Sequence, residues 1–308
     1  MTVLPGALRR KVEGALEELG HAAQILDARP LSGGCINPSA RLDVEGGECF
    51  FLKWNERAPP GMFPAEAEGL GALRETAAGS GLRVPEVLAV GAGDAGTAWL
   101  LLEYVPEGRG GGGYAGALGA GLAALHRGVG GDRASYGWER DNFIGSLAQE
   151  NGASSRWADF WRERRLGPQL SLARSRGHFH GADGRLLDKL VDRLDDALAG
   201  AEEDGASLLH GDLWGGNVYP GPAGEPVLID PAVYRGHREV DLAMSELFGG
   251  FPSGYLERYH EAWPIDDAYA RIRRPLYQLY YLLVHVNLFG GSYVAGSLAA
   301  VERVLAEV

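Results

Sequence analysis

The residues best suited to chemistry lie between positions 208 and 230, in the segment LLHGDLWGGNVYPGPAGEPVLID. His210 stands two residues before Asp212, and Asn217 follows five residues after that aspartate. A short apolar strand predicted at 227–229 leads directly into a second carboxylate, Asp230. This spacing is typical of the catalytic loop of phosphotransferases, in which a carboxylate accepts the proton of an acceptor hydroxyl.

Phosphoryl transfer also needs oxygen ligands that hold Mg²⁺ against the phosphates of a nucleotide. Asp212 fits the role of the base. Asn217 and Asp230 fit the metal site, because magnesium prefers hard oxygen donors and often uses few protein ligands. A lone His-Gly-Asp is more often a turn than a catalytic site. The four positions together favour a kinase-type site.

Length and composition set bounds on the class of protein. The 308 residues, 45% apolar and 23% charged, predict a soluble globular protein with room for two lobes. A formal net charge of -12 argues against nucleic acid or an anionic membrane as partner and is compatible with a cationic substrate. Two cysteines, Cys35 and Cys49, cannot form a disulfide framework and favour a reducing, cytoplasmic location. No signal peptide or membrane-spanning run of about eighteen apolar residues is expected.

The first part of the chain carries a candidate phosphate loop. A helix and then a strand at 24–30 are predicted to precede Gly33 and Gly34. The backbone amides of these glycines could approach phosphates, or the pair could simply form a hairpin turn.

The next strand, ECFFLKW at 48–54, carries Lys53. This lysine could extend to solvent or pair with nucleotide phosphates while a glutamate on the next helix holds it. We expect that glutamate to be Glu66, since Leu70 and Leu73 share its face of a helix predicted at 64–76. Glu68 points away from this face.

Two further strands are predicted at 84–90 and 97–105, joined by the GxGxxG sequence of 91–96. That sequence leads into a strand rather than a helix, so it predicts a hairpin loop and not a dinucleotide site. At the end of the second strand, backbone groups of Glu103 and Val105 would meet adenine, although an ordinary strand and turn explain them almost as well. The glycine-rich stretch 108–113 predicts a flexible linker.

From Tyr114 the pattern is helical. His126 is expected to be a hydrogen-bonded histidine at a helix end rather than a catalyst. Asp241 could accept backbone amides of the catalytic loop, or it could cap a helix. One amphipathic helix, predicted at 157–170, carries three arginines that we expect to form a solvated face: Arg162, Arg164 and Arg165.

Several segments resemble those of the fructosamine and ketosamine 3-kinases, relatives of the aminoglycoside phosphotransferases and, more distantly, of protein kinases. They are PLSGGCIN (30–37), FFLKWN (50–55), MFPAEAEGL (62–70), DNFIGSLAQ (141–149), LLHGDLWGGNV (208–218), LIDPAVYRGHREVDLAM (228–244), LFGGF (247–251) and VHVNLFGGSY (284–293). The resemblance implies an α+β, bilobal protein-kinase-like fold. Its N-terminal nucleotide-binding lobe, 1–104, would be a small antiparallel sheet with one main helix, and its larger, mostly helical C-terminal catalytic and substrate-binding lobe would span 105–308.

The resemblance also implies the reaction. ATP would be the phosphoryl donor, Mg²⁺ the metal, and the C3 hydroxyl of a ketosamine, free or protein-bound, the acceptor. Ketosamines form when a sugar reacts with an amine. Lys53 with Glu66 would position the phosphates, Gly33, Gly34 and Cys35 would line the phosphate loop, and Trp214, His210 and Tyr234 are candidate contacts of the sugar or its amine. A kinase for another hydroxyl acceptor, such as an aminoglycoside or choline, remains the alternative, and a pseudokinase is disfavoured because the catalytic set is complete.

Cys35 also carries a redox hypothesis. A thiolate among phosphate-loop amides would be favoured and open to oxidation. A disulfide between two copies could then block ATP, so the chain would be a monomer or a Cys35-linked homodimer. An inert residue in a turn is equally expected.

Overall fold

The computed structural model describes residues 4–31, 37–92, 97–128 and 134–308. In these residues, five antiparallel strands form a sheet in the order β1-β2-β3-β5-β4. The strands are β1 Ile25–Pro30, β2 Ser39–Val44, β3 Cys49–Asn55, β4 Val87–Ala92 and β5 Ala98–Glu103. Two helices pack on this sheet, α1 Gly6–Glu18 and α2 Met62–Thr76.

The alternation of side chains along β5 explains how both faces of the sheet are covered. Trp99 and Leu101 belong to the core cluster that contains α1, whereas Leu100 and Leu102 belong to the cluster that contains α2. Successive residues of a strand point to opposite faces, so each face receives its own apolar row. In β3 the residues on either side of Lys53 pack toward α1, which directs Lys53 itself toward α2.

Helices dominate the rest of the chain. They are α3 Tyr114–Arg127, α4 Trp157–Phe160, α5 Gly167–Ser175, α6 Gly181–Asp192, α7 Leu194–Ala197, α8 Glu239–Leu247, α9 Tyr255–Ala262, α10 Arg274–Phe289 and α11 Val294–Leu305. π-Helical turns at Trp161–Leu166 and Tyr269–Arg273 lead into α5 and α10, and 3₁₀ turns lie at Ala201–Asp204 and Gly291–Tyr293. Among the described residues, every helix is too short or too polar to cross a membrane.

Three strand pairs position the loops of this helical part. They are β6 Asn142–Ile144 with β7 Leu147–Gln149, β8 Ser207–Leu209 with β11 Tyr234–Gly236, and β9 Val218–Pro220 with β10 Pro226–Leu228. The β8–β11 pairing brings the residues after Leu209 beside those before Tyr234. The β9–β10 hairpin does the same for Asn217 and Asp230, since Ile229 N donates to Asn217 O at 3.1 Å.

Arg83 joins the sheet to the β9–β10 hairpin. Its amide donates to Pro226 O at 2.8 Å, and its carbonyl accepts from Leu228 N at 2.9 Å. Its guanidinium donates to Glu103, at the end of β5, and to Glu225 in the hairpin. These bonds of Arg83 connect the sheet to the helical part of the molecule, close to the segment that contains Asp230.

Arg165 does not lie on a solvated face, so that prediction is wrong for this residue. Its side chain is 0% exposed, and its guanidinium lies 3.8 Å from the ring centroid of Tyr234. It donates to Glu150 O at 2.6 Å and to Asn151 Oδ1 at 2.8 Å. The π-helical turn at Trp161–Leu166 shifts the helix face, which turns Arg165 inward and leaves Arg164 partly exposed.

We expect Arg165→Met to lower the free energy of unfolding by about 3 kcal/mol, because it leaves two buried acceptors without a donor. The neighbouring Arg164→Met is the matched control. Arg164 forms only a partly exposed pair with Glu150, so its loss should change stability by less than about 0.5 kcal/mol. Urea unfolding of both variants measures the difference. Equal effects would contradict a structural role specific to Arg165.

Candidate active site

The loop that carries Asp212 is held from below by two buried side chains. Asp241, in α8, accepts from His210 N at 2.7 Å and from Gly211 N at 2.9 Å. Tyr281, in α10, donates from its hydroxyl to Gly211 O at 2.8 Å. Of the two roles considered for Asp241, the structure shows the one in which it accepts backbone amides of the catalytic loop. His126, as expected, is a bonded core histidine, with Nε2 3.1 Å from Asp241 Oδ2.

His210 positions the two aspartates and does not reach a substrate. It is 0% exposed, its Nε2 lies 2.8 Å from Ile229 O, and Asp212 N donates to its Nδ1 at 3.3 Å. Burial lowers the pKa of His210, which fits a neutral ring that donates from Nε2 and accepts at Nδ1. Its prediction as a substrate contact is therefore corrected.

Tyr234 is also corrected as a substrate contact. It lies in β11 with 0% of its surface exposed, stacked on Phe160 and covered by the guanidinium of Arg165. Strand pairing with β8 turns this side chain into the core, away from the loop of Asp212.

Asp212 faces a cavity and is held by Asn217. The amide nitrogen Nδ2 of Asn217 donates to Asp212 O at 2.8 Å and lies 3.3 Å from Asp212 Oδ2. Burial, followed by the negative charge of Asp230, raises the pKa of Asp212 to about 7. A carboxyl group with this pKa is suited to accept a proton near neutral pH.

Lys53 connects α2 to the second carboxylate of the site. Its Nζ lies 2.9 and 3.1 Å from the two oxygens of Glu66 and 3.0 Å from Asp230 Oδ1. Burial alone would lower the pKa of Lys53, but the charges of Asp230 and Glu66 outweigh it and raise that pKa. Lys53 is therefore a cation, and the predicted Lys53–Glu66 pair is confirmed. Glu68 instead pairs with an exposed arginine, Arg140.

Glu66→Gln should raise the KM for ATP about tenfold, because it removes one of the two carboxylates that hold the ammonium of Lys53, the group predicted to bind the phosphates. Glu68→Gln is the matched control on the same helix, and it should leave that KM within about twofold, since its pair with Arg140 is at the surface. Steady-state kinetics with ATP as the varied substrate measures both. A larger effect from Glu68→Gln would contradict the assignment of Glu66.

Asp230 adopts a backbone conformation that few side chains adopt. Its φ is 53°, and among the described non-glycine residues only Phe179 shares a positive φ. Such a conformation costs energy and persists only where contacts enforce it. Here the carboxylate is held by Lys53, and the carbonyl lies 3.4 Å from Asn217 Nδ2. The strained backbone therefore places the Asp230 carboxylate beside Lys53 and the Asp230 carbonyl beside Asn217.

The donor set left at Asn217 and Asp230 fits a magnesium ion. Nδ2 of Asn217 is committed to Asp212, which leaves the oxygen Oδ1 as a ligand. Oδ1 of Asp230 is committed to Lys53, which leaves Oδ2. Within the described residues no group of three or more His, Cys, Asp or Glu could hold a metal. Two oxygens suit Mg²⁺, which is commonly bound by one or two side chains together with phosphates and waters.

The cavity in front of Asp212 has a volume of about 530 Å³. Charged, apolar and aromatic residues share its lining, and two of the aromatic ones, Phe248 and Phe289, are 42% and 51% exposed. The lining residues include Asn37, Lys53, Met62, Ala65, Glu66, Asn142, Phe143, Asp212, Trp214, Asn217, Asp230, Met244, Phe248, Tyr281, Val284, His285, Leu288, Phe289 and Tyr293. Trp214 also lies in this lining, and its contact with the sugar or its amine stays a prediction. Its ring covers Gly216 so closely that a Cβ there would approach it to 2.3 Å.

The other predicted nucleotide contacts are not in this lining. Glu103 N donates to Glu86 O at 2.9 Å, and Val105 O accepts from the hydroxyl of Tyr219 at 3.0 Å. These bonds fix the connection between the sheet and the helical part, and contact with adenine stays a prediction. Gly33, Gly34 and Cys35 lie outside the described residues. The phosphate loop and the redox hypothesis for Cys35 therefore stay predictions.

Sequence reasoning missed the residues that α10 contributes. Tyr281 clamps Gly211, and His285 and Phe289 follow on the same face of the helix. Their spacing of four residues on an otherwise buried helix was an available signal. Phe248, in the segment after α8, also lines the cavity and carried no such signal.

The sheet order, the Lys53–Glu66 pair and the loop of Asp212 define a phosphotransferase of the protein-kinase-like class. The family model described as fructosamine kinase matches residues 9–307. The chain therefore belongs to the fructosamine kinase family. Members of this class are ATP-dependent kinases that phosphorylate hydroxyl groups, and so is this protein.

Individual relatives agree over nearly the whole chain. A "Probable ketoamine kinase" from Synechocystis is 43% identical over 89% of this chain and 88% of its own length. A chloroplastic protein-ribulosamine 3-kinase from Oryza sativa subsp. indica is 36% identical over 93% and 81%. The crystal structure of a "putative fructosamine-3-kinase" from Thermobifida fusca is 32% identical, with a TM-score of 0.82 over 97% of this chain and 99% of that one.

A thermostable mutant of an aminoglycoside phosphotransferase, in complex with AMP-PNP and hygromycin B, has a TM-score of 0.60 over 96% of this chain. Its identity is 16%, so it shares the fold alone.

Proposed function

We propose that this protein transfers the γ-phosphate of ATP to the C3 hydroxyl of a ketosamine. The observation that carries the proposal is Asp212, a carboxyl group with a pKa of about 7 in a cavity shared with the Lys53–Glu66–Asp230 cluster. The relatives named for ketoamine and ribulosamine substrates support the acceptor.

In this reaction Asp212 is the general base. Its carboxylate accepts the proton of the C3 hydroxyl as that oxygen attacks the γ-phosphorus, and ADP leaves as the bond from the γ-phosphorus to the bridging oxygen breaks. Asn217, His210 and Asp241 hold the loop so that the carboxylate faces the cavity. Preorganised groups of this kind lower the barrier because they need no reorganisation during the reaction.

Lys53 acts on the donor. Its ammonium binds phosphate oxygens, and Glu66 keeps it in place between α2 and β3. Asn217 Oδ1 and Asp230 Oδ2 would hold Mg²⁺. When bound, the ion neutralises charge on the phosphates.

The product explains a repair role. Phosphorylation turns the C3 oxygen into a good leaving group, so the adduct can lose a proton from C1 and inorganic phosphate from C3. Water then hydrolyses the resulting imine and releases the amine. A kinase of this kind would free amines from sugar adducts.

Turnover on a small substrate panel tests the proposal. ATP, Mg²⁺ and the protein are combined with ribulosyl-lysine, fructosyl-lysine, kanamycin or choline, and the phosphorylated position is determined by NMR. We expect phosphate at C3 of a ketosamine and no turnover of kanamycin or choline. Turnover of kanamycin or choline alone would assign the protein to another acceptor on the same fold.

A further inference from the structure

We infer that two buried amides, Asn142 and Gln149, are positioning residues that set the affinity of Asp230 for Mg²⁺. The inference rests on the proposed function, because that function places the ion on Asp230. The two amides stand opposite each other in the β6–β7 hairpin, so their side chains lie on the same face of it. They act through the backbone that follows Asp230 and not through the ion itself.

Both amides donate to backbone carbonyls just after Asp230. Nδ2 of Asn142 donates to Val233 O at 2.7 Å. Nε2 of Gln149 donates to Ala232 O at 3.2 Å and to Asn142 Oδ1 at 2.8 Å. Asn142 is 5% exposed and Gln149 is 2% exposed. Water therefore does not replace these bonds when an amide is removed, and the carbonyls lose their donors.

A cation sets the direction in which the amides point. The guanidinium of Arg165 can only donate, so Asn151 presents its oxygen Oδ1 to it, at 2.8 Å. The nitrogen Nδ2 of Asn151 then donates to Asn142 Oδ1 at 2.9 Å. Because the oxygen of Asn142 accepts there, its nitrogen faces the backbone carbonyl. The hydroxyl of Tyr280 donates to Gln149 Oε1 at 2.7 Å, which leaves the nitrogen of that amide for the second carbonyl.

The backbone after Asp230 needs this support. Asp230 has a φ of 53°, a conformation that persists only where contacts enforce it. The catalytic loop supplies one contact, since Ala232 N donates to His210 O at 2.8 Å. Helix α2 supplies another, since a Cβ on Gly69 would lie 3.0 Å from Val233 Cγ2. Removal of the amides leaves these two contacts and lets the strained backbone relax, which moves the carboxylate that would hold the ion.

Nucleotide binding with and without Mg²⁺ tests the inference without turnover. AMP-PNP is titrated by calorimetry in the presence of Mg²⁺ and in the presence of EDTA, and the ratio of the two affinities measures how far the ion tightens binding. Gln149→Met and Asn142→Leu keep the size of the side chain and remove the donor. Each should lower this ratio about tenfold, as expected for residues that orient a metal ligand, and leave the affinity in EDTA within about twofold.

Gln169→Met is the matched control. Gln169 is 4% exposed in α5, and its Oε1 accepts from Asn287 Nδ2 at 2.8 Å. The variant removes a buried amide that bonds α10 instead of the segment after Asp230. It should lower the midpoint of thermal unfolding about as much as Gln149→Met does and keep the Mg²⁺ ratio within about twofold.

A milder variant keeps the test decisive if the other two do not fold. Tyr280→Phe removes only the hydroxyl that donates to Gln149 Oε1. We expect it to lower the Mg²⁺ ratio about threefold, because the amide keeps its nitrogen near the carbonyl but loses the bond that orients it.

The outcomes separate the inference from the proposed function. A wild-type protein whose AMP-PNP affinity does not depend on Mg²⁺ overturns both. A wild-type dependence that the folded variants retain in full, or that Gln169→Met lowers equally, overturns the inference alone. A normal Mg²⁺ ratio in the wild-type protein that falls in the variants, together with no turnover of any ketosamine, overturns the proposed acceptor and supports the inference.

Discussion

Asp212→Asn should lower kcat by about a thousandfold while the affinity for ATP changes by less than about threefold. The amide keeps the shape of the carboxylate and its contact with Asn217, but it cannot accept the proton of the acceptor hydroxyl. Lys53, Glu66 and Asp230 keep their pairing, so the groups proposed to hold the nucleotide are unaffected. Single-turnover kinetics and nucleotide titration measure the two quantities separately.

Asp192→Asn is the matched control for this experiment. Asp192 is exposed at the end of α6, so the same chemical change there should leave kcat and ATP affinity within error. A variant at Asp212 that retains more than about a tenth of kcat would contradict its role as the base. Loss of ATP affinity together with kcat would instead indicate that the carboxylate acts mainly by holding the nucleotide site.

The sheet and the Lys53–Glu66 pair could be predicted because local sequence patterns determine them. Alternation along β3 directs Lys53 to one face, and helical spacing in α2 directs Glu66 toward it, so the pair follows from two short segments. The strands predicted at 84–90 and 97–105 occur at Val87–Ala92 and Ala98–Glu103, so each is displaced or shortened at its ends. Strand ends depend on partners that local sequence does not specify.

The residues that sequence reasoning misplaced depend on long-range packing. Arg165 follows a π-helical turn, and a pattern based on 3.6 residues per turn assigns it to the wrong face. Tyr234 is close to Asp230 in sequence, but pairing of β11 with β8 turns it into the core. Four ring-bearing residues of the cavity lining, Phe248, His285, Phe289 and Tyr293, come from the segment after α8, from α10 and from the turn after it, so no single segment reveals them together.

Gly211→Ala should abolish activity and lower the free energy of unfolding by about 3 kcal/mol or more. Gly211 has a φ of 81°, and a Cβ at this position would lie 2.0 Å from Ala232 O. Ala232 N also donates to His210 O at 2.8 Å, so the two segments cannot separate without breaking this bond. Substitution therefore pushes the loop of Asp212 away from the segment of Asp230, in addition to the strain of a positive φ.

Gly254→Ala distinguishes the collision from the backbone strain. Gly254 has a φ of 86°, but a Cβ there would meet nothing within 4 Å. The control should thus lower the free energy of unfolding by about 1 kcal/mol and retain activity. If both variants lose the same stability and Gly211→Ala remains active, the contact between the two segments does not control the site. If Gly211→Ala folds but is inactive, the glycine is required because it lets the loop of Asp212 approach the segment that contains Asp230.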